Sequence, residues 1–374
     1  MSRSTRVDAF VVATPGLEQL ALAEVVALGV RPARAVRGGV ECTVTLPQLW
    51  AMNLRLRTAT RVLVRVIRCR ADGFDSLARG LARVDWSEWL PDGAVDVRAS
   101  CDRSSALYHS TAVAERVVEA TGRPAADGAQ SLVVRVLDDV VTVSIDSSGP
   151  SLHQRGWRGP AGRAPLRETL AAALLISSGW DRRSPLVDPF CGSGTILIEA
   201  AMLARRMAPG RHRSFAFEQW PSFDAAAWQR LVQGADADVV DRCPPLVGSD
   251  RDAGAVEATL ANATAAGVAD RIAASTLAVS DVVTPRVDGR RGWVVCNPPY
   301  GERLGRPGVG PRELVPLFDR LGTVLARQFA GWRVAMLVPD EVPVGHTRLA
   351  FETVLHTSNG GIPVAVKVAT VPLP

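Results

Sequence analysis

Four consecutive residues, Asn297-Pro298-Pro299-Tyr300, carry the most specific chemistry in the sequence. Adjacent prolines have fixed φ and no backbone N–H, so the segment is a stiff turn that offers carbonyl acceptors and no competing donors. The Asn297 side-chain oxygen and the Pro298 carbonyl can each accept one hydrogen of an –NH2 group. An amine on an aromatic ring is a poor nucleophile, because its lone pair is delocalised into the ring. Holding both hydrogens out of the ring plane localises that pair and aims it. Pro299 stiffens the turn, and Tyr300 supplies a flat face for stacking a base. A plain proline-rich turn is the structural alternative. Its place after the apolar strand Trp293–Cys296, together with the glycine loop described next, argues against that.

The second constellation is Asp188-Pro189-Phe190-Cys191-Gly192-Ser193-Gly194-Thr195, which follows an apolar strand and opens an Ala-rich helix. Gly192 and Gly194 let the backbone turn tightly and approach a ligand closely. The third spaced glycine of the dinucleotide fingerprint and the Gly-Lys-Ser/Thr ending of a phosphate loop are both missing. An acid opening the loop, Asp188, suits a ligand with a cationic amino group better than a pyrophosphate. Asp250 ends the strand Leu246–Ser249, where a carboxylate can accept from both hydroxyls of a ribose. In dinucleotide folds that acid lies about 20 residues past the glycines. Here the gap is longer, which requires an insertion from about Ala208 to Pro245. Asp281 could accept from an adenine amino group, although a loop or helix-cap acid would look the same.

These residues need elements to hold them. Residues 1–150 read as an α+β mixture in two cycles, with strands at 8–14, 61–70, 95–101, 132–137 and 140–145 and helices at 16–28, 74–84 and 110–120. Two small modules, about 1–60 and 61–150, follow from that pattern. Gly149-Pro150 begins a joint that carries Arg155, Arg158 and Arg163, with Arg167 just beyond. After it, strands at 186–190, 246–250, 293–297 and 333–339 alternate with helices at 195–206, 253–266 and 312–329. That alternation predicts a buried, mostly parallel α/β sheet covered by helices. Two final strands flank Ser358-Asn359-Gly360-Gly361, the signature of an antiparallel edge hairpin.

Composition sets limits. The chain has 374 residues, a net charge of +5 and 22% charged residues, which fits a globular protein with a polyanionic partner. Lys367 is the single lysine among 43 basic residues, so the cationic groups are arginines, whose planar fork suits phosphate. The six cysteines show no paired metal-ligand spacing, so no metal is expected. The charge-free run Thr169–Trp180 is too short to span a bilayer, which takes about 20 residues. With no leader visible, a cytoplasmic setting is expected.

The glycine loop and Asn297–Tyr300 together resemble the class I methyltransferases that modify amino groups of adenine or guanine. The joint, Leu152-His153-Gln154-Arg155-Gly156-Trp157-Arg158 and then Ala164-Pro165-Leu166-Arg167-Glu168-Thr169-Leu170, narrows the resemblance. With Asp188–Ala201 it is similar to the RNA guanine-N2 methyltransferases that carry an amino-terminal THUMP domain. Among these, the amino-terminal half of the bifunctional enzymes of large-subunit (23S) ribosomal RNA is nearest. The resemblance implies a class I, Rossmann-like domain over 165–374 preceded by a linker (151–164), a THUMP domain (61–150) and a ferredoxin-like module (1–60). It implies S-adenosylmethionine at Asp188, Phe190, Cys191, Gly192, Ser193, Gly194, Thr195, Asp250 and Asp281, and guanine at Asn297–Tyr300. Because the chain ends at Pro374, only the N2-guanine activity is expected to carry over.

Lesser signals concern RNA. Arg155 and Arg158 flank Trp157 in a basic–aromatic pattern compatible with phosphate and stacking contacts, or with a linker that pins domains. Arg205, Arg206, Arg211, His212 and Arg213 form the densest basic run, a solvated face or an RNA contact. From these, Arg155, Trp157, Arg158, Arg211 and Arg213 are the expected RNA-binding residues. A tRNA guanine-N2 methyltransferase, a DNA adenine-N6 methyltransferase and a non-catalytic ribosome-assembly factor are the competing readings.

Overall fold

The computed structural model describes residues 6–159, 166–285, 289–300 and 311–374. Arg163, Ala164 and Pro165 of the joint lie outside the described residues. The chain divides into two compact units: Met1–Ala13, Ala21–Leu152 and Arg213–Gly234 in one, and Thr14–Leu20, His153–His212 and Ala235–Pro374 in the other.

The first unit is built on one seven-stranded sheet. Its strands are β1 (Arg6–Ala13), β2 (Ala33–Val36), β3 (Gly39–Thr45), β4 (Ala59–Arg70), β5 (Val95–Cys101), β6 (Gln130–Leu137) and β7 (Val140–Asp146), in the order β2-β3-β1-β4-β7-β6-β5. Neighbours are antiparallel except the parallel pair β5–β6. The two cycles read from the sequence therefore share a sheet: β4 pairs with β1 on one side and β7 on the other. Helices α1 (Glu18–Ala27), α3 (Phe74–Leu81) and α4 (Ser110–Thr121) fall close to their expected positions, and α2 (Leu46–Arg55) lies between β3 and β4. Helix α2 starts where Thr45 and Gln48 cap each other reciprocally, with Pro47 in the first turn, where its missing N–H costs nothing. Asp138 and Asp139, at φ of 50° and 59°, make the tight turn that matches the twist of the β6–β7 hairpin.

The insertion expected between 208 and 245 is what breaks this unit in sequence. Residues 213–234 belong to the first unit, and they bring aromatic rings with them. Phe217 is fully buried and stacks on Phe215 (5.3 Å) and Trp50 (5.8 Å), with Trp228 edge-on at 5.2 Å. Trp220 donates its indole N–H to Gln130 Oε1 at 2.9 Å. Much of the intervening stretch is helical: α7 spans Ala225–Ala237 and has no counterpart in the strand–helix alternation read from the sequence.

The second unit holds helix α5 (Glu168–Ser177), strand β8 (Leu186–Asp188), helix α6 (Thr195–Ala204), strand β9 (Leu246–Asp250), helix α8 (Ala253–Ala265), strands β10 (Ile272–Thr276) and β11 (Trp293–Cys296), helix α9 (Val315–Gln328) and strands β12 (Arg333–Val338), β13 (Glu352–Asn359) and β14 (Ile362–Thr370). The sheet order is β10-β9-β8-β11-β12-β14-β13. The first five strands are parallel, and β14 runs antiparallel to β12 and β13. Gly360 and Gly361, at φ of 61° and 89°, turn the expected edge hairpin. This is the mostly parallel α/β sheet with an antiparallel edge that the sequence predicts. The order reverses at β8, and open α/β sheets bind ligands at the carboxyl ends of the strands at such a switch point.

Candidate active site

The strand register brings the two constellations together. Asp188, the last residue of β8, pairs with Gly248 of β9, so Asp250 stands two residues further along that strand. On the other side Val294 pairs with Val187, so Asn297 likewise stands two residues past the level of Asp188. At about 3.3 Å per residue, Asp250 and Asn297 flank the exit of β8 at equal height. The glycine loop leaves β8 between them.

The loop is fixed by bonds from both neighbours. The Gly192 N–H donates to Asp250 Oδ2 at 3.0 Å, and the Cys191 N–H donates to the Ser249 carbonyl at 2.9 Å. Thr259 and Asn262 of α8 donate to the carbonyls of Gly192 (2.7 Å) and Ser193 (3.0 Å). Gly194 has φ of 82°, and a Cβ there would meet Thr259 Cγ2 at 2.8 Å. Gly192 also has positive φ, 53°, but no atom lies within 4 Å of where its Cβ would stand. Its glycine thus serves the turn and leaves that side open. Gly248, which the sequence reading did not single out, is needed for packing: a Cβ there would stand 2.4 Å from Leu197 Cδ1 and 3.1 Å from Cys191 Cβ.

Asp188 is buried at 1% exposure, and its Oδ1 accepts from the Phe190 N–H at 3.1 Å. Burial pushes its pKa up to about 8; the Phe190 N–H opposes this and the nearby charge of Asp250 adds to it. A carboxyl held neutral in this way is one that an incoming cationic group would return to its charged form. Burial pushes the Cys191 thiol up to about 12 and the Cys296 thiol well above its ordinary value, which leaves both as inert packing groups.

Asn297 and Pro299 are half-buried at the end of β11, and Pro298 and Tyr300 are buried. The Tyr300 hydroxyl accepts from the Asn359 side-chain amide at 3.0 Å. Asn359 closes β13, 59 residues away in sequence, and no local pattern marks it. Asp281 is exposed in a short turn after β10, where its carboxylate accepts from the Ser280 hydroxyl at 3.2 Å. Among the described residues, no hydrogen bond joins Asp281 to the loop.

Residues 155–364 match the family described as RMKL-like, methyltransferase domain. The chain belongs to this family. Residues 8–63 match the RlmL ferredoxin-like domain. The ribosomal RNA large subunit methyltransferase K/L of Methylococcus capsulatus is 37% identical over 92% of this chain and 48% of its own length. The chain thus spans about half the length of that relative. The Synechocystis sp. protein slr0064, named for RNA methylation, is 32% identical over 95% of this chain and 94% of its own. Among solved structures, SMU.472 in complex with S-adenosylhomocysteine superposes with a TM-score of 0.86 at 27% identity, covering 100% of this chain and 99% of that one.

Several arginines expected to meet RNA have other partners in this chain. Arg155 is 1% exposed and pairs with Glu199, itself buried, at 3.1 Å; Trp157 is 2% exposed. Neither presents a face to an RNA, which corrects the expectation for both. A basic–aromatic run looks the same whether it faces solvent or a buried acid, and here the acid lies 44 residues away. Arg158 is largely buried and donates to Glu168, Ser193, Thr195 and the Leu166 carbonyl. Arg213 donates to the carbonyls of Ser148 (2.9 Å), Ser151 (2.7 Å) and Pro150, with its guanidinium 5.0 Å from the Phe215 ring centre. These contacts anchor the aromatic arm. Arg211 stays about half exposed, in a bidentate pair with Asp236.

Proposed function

We propose that this chain transfers a methyl group from S-adenosylmethionine to the exocyclic N2 amine of a guanine in RNA, with 23S ribosomal RNA as the substrate. The observation that carries the reading is the level of Asn297 on β11, beside the glycine loop and opposite Asp250 across β8. The residues at the loop fit the donor. Asp188 offers a buried carboxyl to a cationic amino group, Gly192 leaves an open approach, and each Asp250 oxygen keeps a lone pair for a ribose hydroxyl beside the N–H it already accepts. Asp281, past the end of β10, is placed to accept from an adenine amine. The donor supplies an electrophilic methyl on a sulfonium.

The protein's part is alignment. Asn297 and the Pro298 carbonyl take the two amine hydrogens, and the amine nitrogen then points its lone pair toward the donor side of the sheet. Tyr300 stacks on the base. As the new N–C bond formed, the donor's S–CH3 bond would break to leave the neutral thioether, and the cationic nitrogen would lose one of the gripped hydrogens as a proton, past the acceptor that holds it, to water. Transfer from a sulfonium needs little acid–base help, so orientation and a dry site dominate the acceleration. A base within a helix has to be extruded first, and stacking on Tyr300 offsets part of that cost.

The names of the K/L relatives and of slr0064 support RNA over DNA. The modules at 1–60 and 61–150, read as ferredoxin-like and THUMP, would carry the RNA, leaving 151–164 as linker and 165–374 as the methyltransferase domain. Of the five residues expected to bind RNA, Arg211 keeps the most exposed side chain for phosphate.

Labelled methyl from S-adenosylmethionine, offered with 23S RNA, tRNA and DNA in parallel, tests the substrate. N2-methylguanosine in digested 23S RNA is the expected product; label confined to tRNA or appearing as N6-methyladenine in DNA overturns the assignment. Asn297→Ala should lower kcat by roughly 10²–10³, the scale for losing one oriented polar group at a reacting centre, with binding of S-adenosylhomocysteine within twofold of wild type. Wild-type turnover in that variant would refute the amine grip.

A further inference from the structure

We propose that Arg158 is a positioning residue for the donor loop, and that the Arg155–Gly159 strap preceding the α/β core holds that loop in its binding shape before any donor arrives. The proposal rests on reading the glycine loop as the donor site. A single guanidinium spans the loop. Nε donates to Glu168 Oε1 at 2.8 Å, one terminal nitrogen to Ser193 Oγ at 3.1 Å, and the other to Thr195 Oγ1 at 2.9 Å and the Leu166 carbonyl at 3.2 Å. Ser193 and Thr195 sit on either side of Gly194, whose φ of 82° marks the point where loop becomes helix. The fork therefore bridges the most pliable joint of the loop. The buried carboxylate of Glu168, on α5, fixes the fork from the far side.

A second route from strap to loop ends on the same residue. The Gly159 N–H donates to Asn262 Oδ1 at 3.2 Å, and the Asn262 amide donates to the Ser193 carbonyl at 3.0 Å. The strap grips Ser193 by its hydroxyl through Arg158 and by its carbonyl through Asn262. Its own position is fixed independently. Arg155 pairs with Glu199, one helical turn past Thr195 on α6. Gly156 has φ of 94°, and a Cβ there would stand 1.9 Å from the His212 carbonyl, so only glycine fits. A lysine at 158 would keep a charge for Glu168, but it has no planar fork to bridge both hydroxyls.

If the loop is ordered in advance, donor binding is spared the cost of freezing it, and loss of the bridge should appear as weaker binding. In the full chain, Arg158→Lys is expected to weaken S-adenosylhomocysteine roughly tenfold by calorimetry. The kcat at saturating donor should stay within about twofold, and the empty protein should remain folded, melting at a somewhat lower temperature. Ser193→Ala combined with Thr195→Val removes the same two acceptors and should weaken binding similarly, while adding Arg158→Lys to that pair should change little more. A folded Arg158→Lys that binds as tightly as wild type, or effects that simply add, overturns the proposal. Should Arg158→Lys fail to fold, the Ser193/Thr195 pair decides it, and normal binding in that pair is the refuting result. Amide hydrogen exchange separates this from the donor assignment. In the empty protein, loss of the bridge should speed exchange at Gly192–Thr195 about tenfold, on the same free-energy scale. Wild type that binds no S-adenosylhomocysteine removes the donor assignment; unchanged exchange removes the strap's role.

Discussion

Asp188 shows how much one buried carboxyl can govern. Its pKa is pushed to about 8, against an ordinary value of 3.8, so the folded empty protein holds a proton there that the unfolded chain gives up above about pH 4. Stability present below that value is therefore lost as pH rises toward 8, and the loss stops once the folded carboxyl has ionised. A cationic amino group binding beside it reverses the preference. Affinity for S-adenosylhomocysteine should climb from pH 6 to about 8, by up to about tenfold per unit, and fall again at higher pH as the ligand's α-amine loses its proton. Calorimetry across pH 6–9 checks this, and Asp188→Asn should flatten the rising limb; a flat wild-type profile would exclude the pairing. The residues legible in the sequence were those whose chemistry is contiguous, the glycine loop and Asn297–Tyr300. Arg155 and Trp157 were misread because their burial depends on partners such as Glu199 that no local window contains.

The edge hairpin has a part in the site that its place at the end of the chain does not suggest. Asn359 closes β13 and donates to the Tyr300 hydroxyl. If Tyr300 stacks on the base as proposed, this bond would serve to fix the ring. Tyr300→Phe and Asn359→Leu each remove that bond and should lower kcat/KM by about three- to tenfold, the scale of a buried hydrogen bond. The double variant should be no worse than either single one, Tyr300→Ala should be much worse than both, and donor affinity should hold throughout. Additive losses would mean the two residues act separately. At this scale the long, patterned elements were legible, including the edge hairpin with its Gly-Gly turn. Strand β10 was missed because Ile272–Thr276 is short and mostly exposed, with no alternation to mark it, and α7 because it lies within the insertion.

The largest departure from the sequence order is the return of residues 213–234 to the first unit. The gap between the glycine loop and Asp250 showed that an insertion exists; its destination depends on rings such as Trp50 and Phe217, 167 positions apart, which periodicity cannot connect. Phe217 stacks at the centre of that cluster, and Phe217→Ala should destabilise the first unit by roughly 3–5 kcal/mol in chemical denaturation. Donor affinity should be preserved, because the glycine loop lies in the other unit. Unchanged stability would show that the aromatic arm is not part of that core. The arm also sets a timetable during synthesis. A ribosome that has completed Leu152 must add another 82 residues before Gly234 follows. At about 5–20 residues per second, that delay is on the order of 4–16 s. For that interval the nascent first unit exposes the apolar seat of Phe217 while the donor loop is already being made. The chain therefore passes through a stage in which the later segment has begun to emerge before the earlier one can close, and chaperones that shield apolar surface would find their longest opening there.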